Sequence, residues 1–182
     1  MNWPTRLKIV KGIAAGLNFL HSEFATYDLP HGNLKSCNVL LSDTYDPLLT
    51  DYAFHPLINP NTVAQSLFAF KSPDYIQYQK VSRKTDVYCL GIIILEIMTG
   101  KFPSQYHSNG KGGTDVVQWV LTAISEGREA DLIDPEIKTN VDTNSLNSML
   151  KLLQIGASCT ETNPEQRLSL GEAIRRIEEV QV

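Results

Sequence analysis

Few cysteines, no long apolar run and no surplus of either charge set the first limits on this 182-residue sequence. Its three cysteines, Cys37, Cys89 and Cys159, are odd in number, far apart and in no metal-ligand spacing. That pattern argues against a disulfide framework and a zinc site and in favour of reduced thiols. Sixteen Lys and Arg stand against twenty Asp and Glu, a net charge of −4. A nucleic-acid or membrane-surface binder would carry a basic patch, so this balance argues against both. The most apolar run, Val87 to Thr99, contains Glu96 and falls short of the about 20 residues a bilayer span needs. The opening MNWPTRLKIVKG lacks the apolar segment of a signal peptide. No low-complexity segment and no internal repeat is present. What remains is ordinary: 42% hydrophobic and 20% charged residues, in a length that supports one domain with its own core.

Periodicity predicts a mainly helical chain. Leu7, Val10, Ile13, Ala14, Leu17 and Leu20 fall on one face of a helix over 4–22, with Pro4 suited to its first turn. Val39–Leu41 and Leu48–Thr50 read as two short strands joined by SDTYD. Residues 51–83 show little periodicity and form a long irregular stretch of the kind that carries function or moves. Residues 85–99 are apolar nearly all round, as in a helix at the centre of a domain, and Gly100 terminates them. SQYHSNGKGGTD, 104–115, reads as a loop. Three further helices follow: Asp115–Glu126, with Val116, Val117, Val120, Leu121 and Ile124 inward; Leu146–Cys159; and Ser169–Val180. Ser169 and Glu172 form a candidate capping box for the last.

One stretch carries chemistry. In LPHGNLKSCNVLL, 29–41, His31, Asn33, Lys35 and Asn38 stand in the spacing H-x-D-x-K-x-x-N, with an amide, Asn33, at the acid's position. Thirteen residues beyond Asn38 comes Asp51-Tyr52-Ala53, then Ser72-Pro73-Asp74, then Asp86-Val87-Tyr88, and near the end Arg167. Each element alone is weak; their order and spacing together are specific. They resemble the C-terminal lobe of a eukaryotic protein kinase over essentially the whole sequence. NWPTRLKIVKGIAAGLNFLH, LLTDYA and KTDVYCLGIIILEIMTGKFP are similar to plant receptor-like kinases, in the pollen-receptor-like, leucine-rich-repeat branch.

The resemblance implies a role for each residue. His31 is a packing residue of the catalytic loop. Gly32 replaces an arginine that would pair with an activation-loop phosphate. Asn33 sits at the catalytic-base position; its carbonyl can orient a hydroxyl but takes up no proton near neutral pH. Lys35 is aimed at the transferring phosphate or is a solvated lysine. Asn38 and Asp51 are the magnesium ligands, Asn38 alternatively bonding its own loop and Asp51 alternatively a turn residue. Ala53 removes a glycine hinge. Asp74 pairs with a buried Arg167. Asp86 holds the catalytic loop's backbone or sits at a helix N-terminus. Tyr45, Tyr52, Tyr75 and Tyr78 read as half-buried aromatics rather than phosphorylation sites.

No G-x-G-x-x-G loop and no V-A-I-K lysine precede the first helix, and GKGG at 110–113 lacks phosphate-loop spacing. The resemblance therefore implies that 1–182 is a partial kinase domain, the C-lobe without its N-lobe, with an exposed, partly apolar upper surface. It implies ATP and Mg²⁺ as cofactors. Two functions stand in view. One is a catalytically impaired pseudokinase acting as a signalling and interaction module, cytoplasmic, on the inner side of the plasma membrane in a full-length receptor. Its partners are then signalling proteins such as an active kinase or a receptor complex. The other is an ATP-dependent serine/threonine kinase once joined to an N-lobe.

Overall fold

A computed structural model describes residues 1–54, 72–101, 116–139 and 141–182. The first helix, α1, runs Trp3–Glu23. Its start follows from Asn2, whose side chain accepts from Thr5 N at 3.0 Å, and from Pro4 in the first turn. Its stripe of Leu7, Val10, Ile13, Ala14, Leu17 and Leu20 is buried. After the loop come β1, Val39–Leu41, and β2, Pro47–Leu49, antiparallel with Val39 opposite Leu49 and Leu41 opposite Pro47. The turn between them is closed by Ser42 N donating to Asp46 O. The second strand thus lies one residue earlier than Leu48–Thr50: Thr50 instead turns back, its N–H and hydroxyl both reaching Asn38 O.

Helix α2, Pro73–Tyr78, follows the first stretch outside the description, 55–71. No periodic pattern announces it, because six residues are too few to show one. Its start is nonetheless chemical: Ser72 Oγ accepts from Tyr75 N at 3.3 Å, ahead of Pro73. Helix α3, Arg83–Thr99, is the central element. It is buried on every side from Thr85 to Glu96, which is why its hydrophobicity has no preferred face. Ser82 N donates to Thr85 Oγ1 at 3.1 Å at one end, and Gly100 closes the other at φ +66°.

Helix α4 is Val116–Ser125. Val116, Val117 and Val120 face inward, but Leu121 is 41% exposed, and Ala123 holds the buried place beyond Val120. A valine-rich ten-residue segment has apolar residues on more faces than it can bury. A short α5, Pro135–Lys138, was not foreseen; Asp134 caps it by accepting from Glu136 N at 2.9 Å. Helix α6 is Thr143–Cys159, beginning one turn earlier than its apolar pattern because Asp142 accepts from Ser145 N at 2.7 Å. Helix α7 is Leu170–Glu178. Ser169 Oγ caps it through Glu172 N, 3.2 Å, but the Glu172 carboxylate turns outward to Arg175 and Arg176, so only half of the capping box forms. The expected loop 104–115 lies outside the described residues.

One hydrophobic cluster joins α1, α3, α4, α6 and α7. Its tightest seam is α3 against α6. A Cβ on Gly91 would lie 2.8 Å from Gly156 O and from Cys159 Cβ, and one on Gly156 would lie 2.7 Å from Ile94 Cγ2. Two facing glycines let the backbones approach where any side chain would hold them apart. Gly91→Ala meets a backbone carbonyl that cannot swing away. It is expected to lose about 1–3 kcal/mol of stability, read as a lower urea midpoint at unchanged slope.

Candidate functional site

The site is organised by Asp86 in the first turn of α3. Its carboxylate is fully buried and accepts from His31 N at 2.7 Å and from Gly32 N at 2.9 Å. His21, at the end of α1, places Nε2 2.7 Å from the same carboxylate. Both of its structural roles are present: it lies in the first turn of the helix and it holds the loop. Gly32 sits at φ +74°, the left-handed region that costs glycine little, and this turns two successive N–H groups onto one carboxylate. An arginine at this position would carry a Cβ into the same strained region.

Hydrogen bonds then run along the loop. Asn33 N donates to His31 Nδ1 at 3.3 Å, which leaves the imidazole proton on Nε2. Burial holds the His31 imidazole below its ordinary pKa against the pull of Asp86, so the ring is neutral at pH 7. Its Nε2 is buried without a hydrogen-bond partner among the described residues, and the Tyr52 ring stands edge-on to it at 6.2 Å. Asn38 Nδ2 donates to Asn33 O at 2.9 Å, and Thr50 N donates to Asn38 O at 3.0 Å. Ala53 N donates to His31 O at 2.8 Å, tying the segment after β2 to the start of the loop. Asp51 and Ala53 both lie at positive φ, +57° and +61°. Ala53 therefore holds a conformation in which glycine would be relaxed.

Asn38 satisfies one of its two earlier readings without excluding the other. Its amide nitrogen bonds the loop, and its oxygen remains an acceptor. Asp51 is exposed. Lys35 is half-buried beside a three-residue turn, Ser36–Asn38, in which Asn38 N donates to Lys35 O at 2.9 Å. One neutral oxygen and one exposed carboxylate fit a hard divalent cation, which takes few protein ligands and completes its shell with phosphate and water. When bound, Mg²⁺ would neutralise charge on ATP phosphates. Asn38 and Asp51 would hold it, and Lys35 would meet a phosphate.

Asp74 and Arg167 form a second buried centre. Arg167 Nη1 and Nη2 donate to Asp74 Oδ1 and Oδ2 at 3.1 and 2.7 Å, a bidentate pair despite the short aspartate arm. The guanidinium also donates to Lys84 O and Glu161 O, both at 2.7 Å, and lies over the Tyr88 ring. This one side chain joins α2, α3 and the segment before α7.

Two functional candidates escaped the sequence reading. His21 shares the Asp86 carboxylate; its signal is the histidine of LNFLH, ten residues ahead of His31. Glu96, an acid in the most apolar run, is 6% exposed with Oε2 unpartnered among the described residues, and burial raises its pKa to about 7 against a hydrogen bond from Ser36. Tyr75 is half-buried as expected, and the other three tyrosines are not. Tyr45, Tyr52 and Tyr78 are 46%, 42% and 56% exposed, because the turn, the segment after β2 and α2 each present only one side to the core.

A neutral loop histidine and a loop anchored on a central-helix acid define the frame of the site. The model for the protein kinase domain matches residues 4–177, and the chain belongs to the protein kinase family, as a kinase domain of the receptor-like class. It is 62% identical to pollen receptor-like kinase 6 and 61% identical to pollen receptor-like kinase 3 of Arabidopsis thaliana, each over 99% of this chain. The chain spans only about a quarter of those relatives, 27% and 28% of their lengths. Among solved structures it is similar to the pseudokinase domain of BIR2, an immune regulator of the RLK/Pelle family. There the TM-score is 0.81 at 27% identity, over 98% of this chain and 52% of that one. Among the described residues no helix is long and apolar enough to cross a membrane.

Two stability predictions follow from these groups. Asp74→Asn leaves the Arg167 charge buried and uncompensated and is expected to cost about 3–5 kcal/mol in chemical denaturation. For Glu96 the sign is the reverse of an ion-paired acid. Its folded pKa of about 7 lies above the ordinary 4.5, so the folded state binds the proton more tightly. Its contribution is fully present below about pH 4.5 and is lost as pH rises through 7. Glu96→Gln should therefore narrow the gap in unfolding free energy between pH 5 and pH 8 by about 2–3 kcal/mol, measured by urea titration at both pH values.

Proposed function

We propose that this chain is the lower lobe of a receptor-like kinase domain that retains a nucleotide-site frame but is impaired in phosphotransfer, and that it serves as an interaction module. The observation that carries this is Asn33 at the position of the catalytic base. Transfer to a hydroxyl calls for a group that takes up its proton, and a positioned base supplies about 10²–10⁴-fold. An amide has no such capacity near neutral pH. Gly32 removes a cation that would order a phosphorylated activation segment. Ala53, at positive φ, stands where the family has its glycine. The likeness to the BIR2 pseudokinase domain, an immune regulator, supports a regulatory role. In a full-length receptor the module would face the cytoplasm at the plasma membrane and recruit signalling proteins, an active kinase among them.

A second reading rests on Lys35, Asn38 and Asp51. All three phosphate and metal positions keep their residue types, and positioning and electrostatics carry most of phosphoryl transfer. Joined to an N-lobe, the chain would then be an ATP-dependent serine/threonine kinase. The relatives' names, pollen receptor-like kinases, are consistent with it.

Transfer of labelled phosphate from Mg²⁺-ATP, measured on the domain with its N-lobe, separates the two. The expected result is incorporation no higher than that of Asp51→Asn, with Asn33→Asp raising it by about 100-fold or more. Wild-type transfer that collapses in Asp51→Asn would establish the kinase instead.

A further inference from the structure

Between α1, β1 and α3 lies a cavity of about 590 Å³. None of Asn33, Lys35, Asn38 and Asp51 lines it, so it is separate from the nucleotide-site frame. Its walls are largely apolar, built from Ile9, Ile13, Val39, Ile93 and Ile97. A volume of about 300–1,000 Å³ with apolar walls and a few polar groups is what small molecules occupy. One side chain interrupts the apolar wall. Glu96 of α3 lines the cavity, is 6% exposed, and keeps its Oε2 without a hydrogen-bond partner among the described residues. Its terminal torsion is soft and two-fold, so either oxygen can turn into the cavity.

An ionised carboxylate away from water calls for a cation. The cations in this wall are already committed. Arg6 Nε donates to Met1 O at 3.1 Å and Nη1 to Ile97 O at 2.6 Å. Its Nη2 meets Asp134 at 2.6 Å and Glu136 at 3.2 Å. The Met1 ammonium lies 3.5 Å from Glu136. Three carboxylates thus share the wall with one guanidinium and one ammonium, and the acid left over is the buried one.

We propose that this cavity is a binding site for a small amphipathic amine, whose ammonium pairs with the Glu96 carboxylate and whose apolar body lies against the isoleucine wall. An anion would compete with the four oxygens already on Arg6, and a purely apolar molecule would leave the acid unpaired. Ser36 and Val39 also line the cavity, so a bound amine lies against the turn that carries Asn38. The site depends on pH, because burial raises the Glu96 pKa to about 7 and the ionised acid is the form that holds the amine. That form makes up about a tenth of the protein at pH 6 and about nine tenths at pH 8, and affinity scales with it. The other charged groups facing the cavity are Arg6 of α1, Asp134 and Glu136 at the start of α5, and the Met1 ammonium. Glu96→Gln separates the titration of Glu96 from theirs.

Calorimetric titration of residues 1–182 with 4-phenylbutylamine, 4-phenylbutanol and 4-phenylbutanoate tests this with one apolar body and three head groups. At pH 8 the amine is expected to bind about tenfold more tightly than the alcohol, and the carboxylate more weakly than both. At pH 6 the amine should bind about tenfold more weakly than at pH 8, while the alcohol is unchanged. Glu96→Gln should bind amine and alcohol alike at both pH values; retained alcohol binding shows that its cavity is intact. Ile97→Phe, which fills the cavity and leaves Glu96 in place, should weaken all three probes, with a thermal melt checking that it folds. Equal affinity for amine and alcohol at pH 8, an amine preference that survives in Glu96→Gln, or no binding of the amine to the wild type overturns the proposal.

Discussion

Three donors converge on the Asp86 carboxylate, and the geometry of the whole loop depends on that convergence. A buried carboxylate is costly unless its acceptor positions are filled. Here two consecutive backbone N–H groups of the loop, His31 and Gly32, and the His21 imidazole of α1 fill them. The demand of one charge for partners thereby joins α1, α3 and the catalytic loop. The positive φ of Gly32 is what allows consecutive amides to point the same way.

The central helix carries polar anchors of different character along its length. At its start Asp86 and Thr85 are satisfied by hydrogen bonds, and nearby Arg167 fills its donors with Asp74 and backbone carbonyls. One turn before its end, Glu96 is buried with one oxygen unpartnered among the described residues. Satisfied charges rigidify; an incompletely satisfied one responds to pH near neutrality. The same helix thus fixes the front of the loop through Asp86 and carries an incompletely satisfied acid near its other end.

Much of this was legible in the sequence, and the reasons differ by element. The stripe of α1 shows because one face alone is buried, so periodicity reports it directly. Helix α3 shows through length and its closing glycine, since a helix buried all round has no stripe. Asn38, Asp74, Asp86 and Arg167, whose loop and ion-pair bonds the structure contains, show through spacing along the chain. Helices α2 and α5 did not show, because short helices are set by a capping side chain and a proline rather than by a pattern. Ala123 displaced Leu121 from the core because burial in a short apolar helix is decided by what packs against it. His21 and Glu96 were missed for a common reason. His21 acts through a partner 65 residues away and Glu96 is marked only by its burial, and spacing within a motif reveals neither.

The position of Asn33 follows from the same hydrogen bonds. In the loop frame Asn33 takes part through its backbone: its N–H donates to His31 and its carbonyl accepts from Asn38. Those bonds are open to any residue of similar size at that position. The frame is held instead by Asp86, Asn38, Thr50 and the His31 carbonyl. Exchanging an acid for an amide at position 33 removes a proton acceptor without removing any of those backbone bonds. The backbone frame of the loop therefore does not depend on an acid at this position.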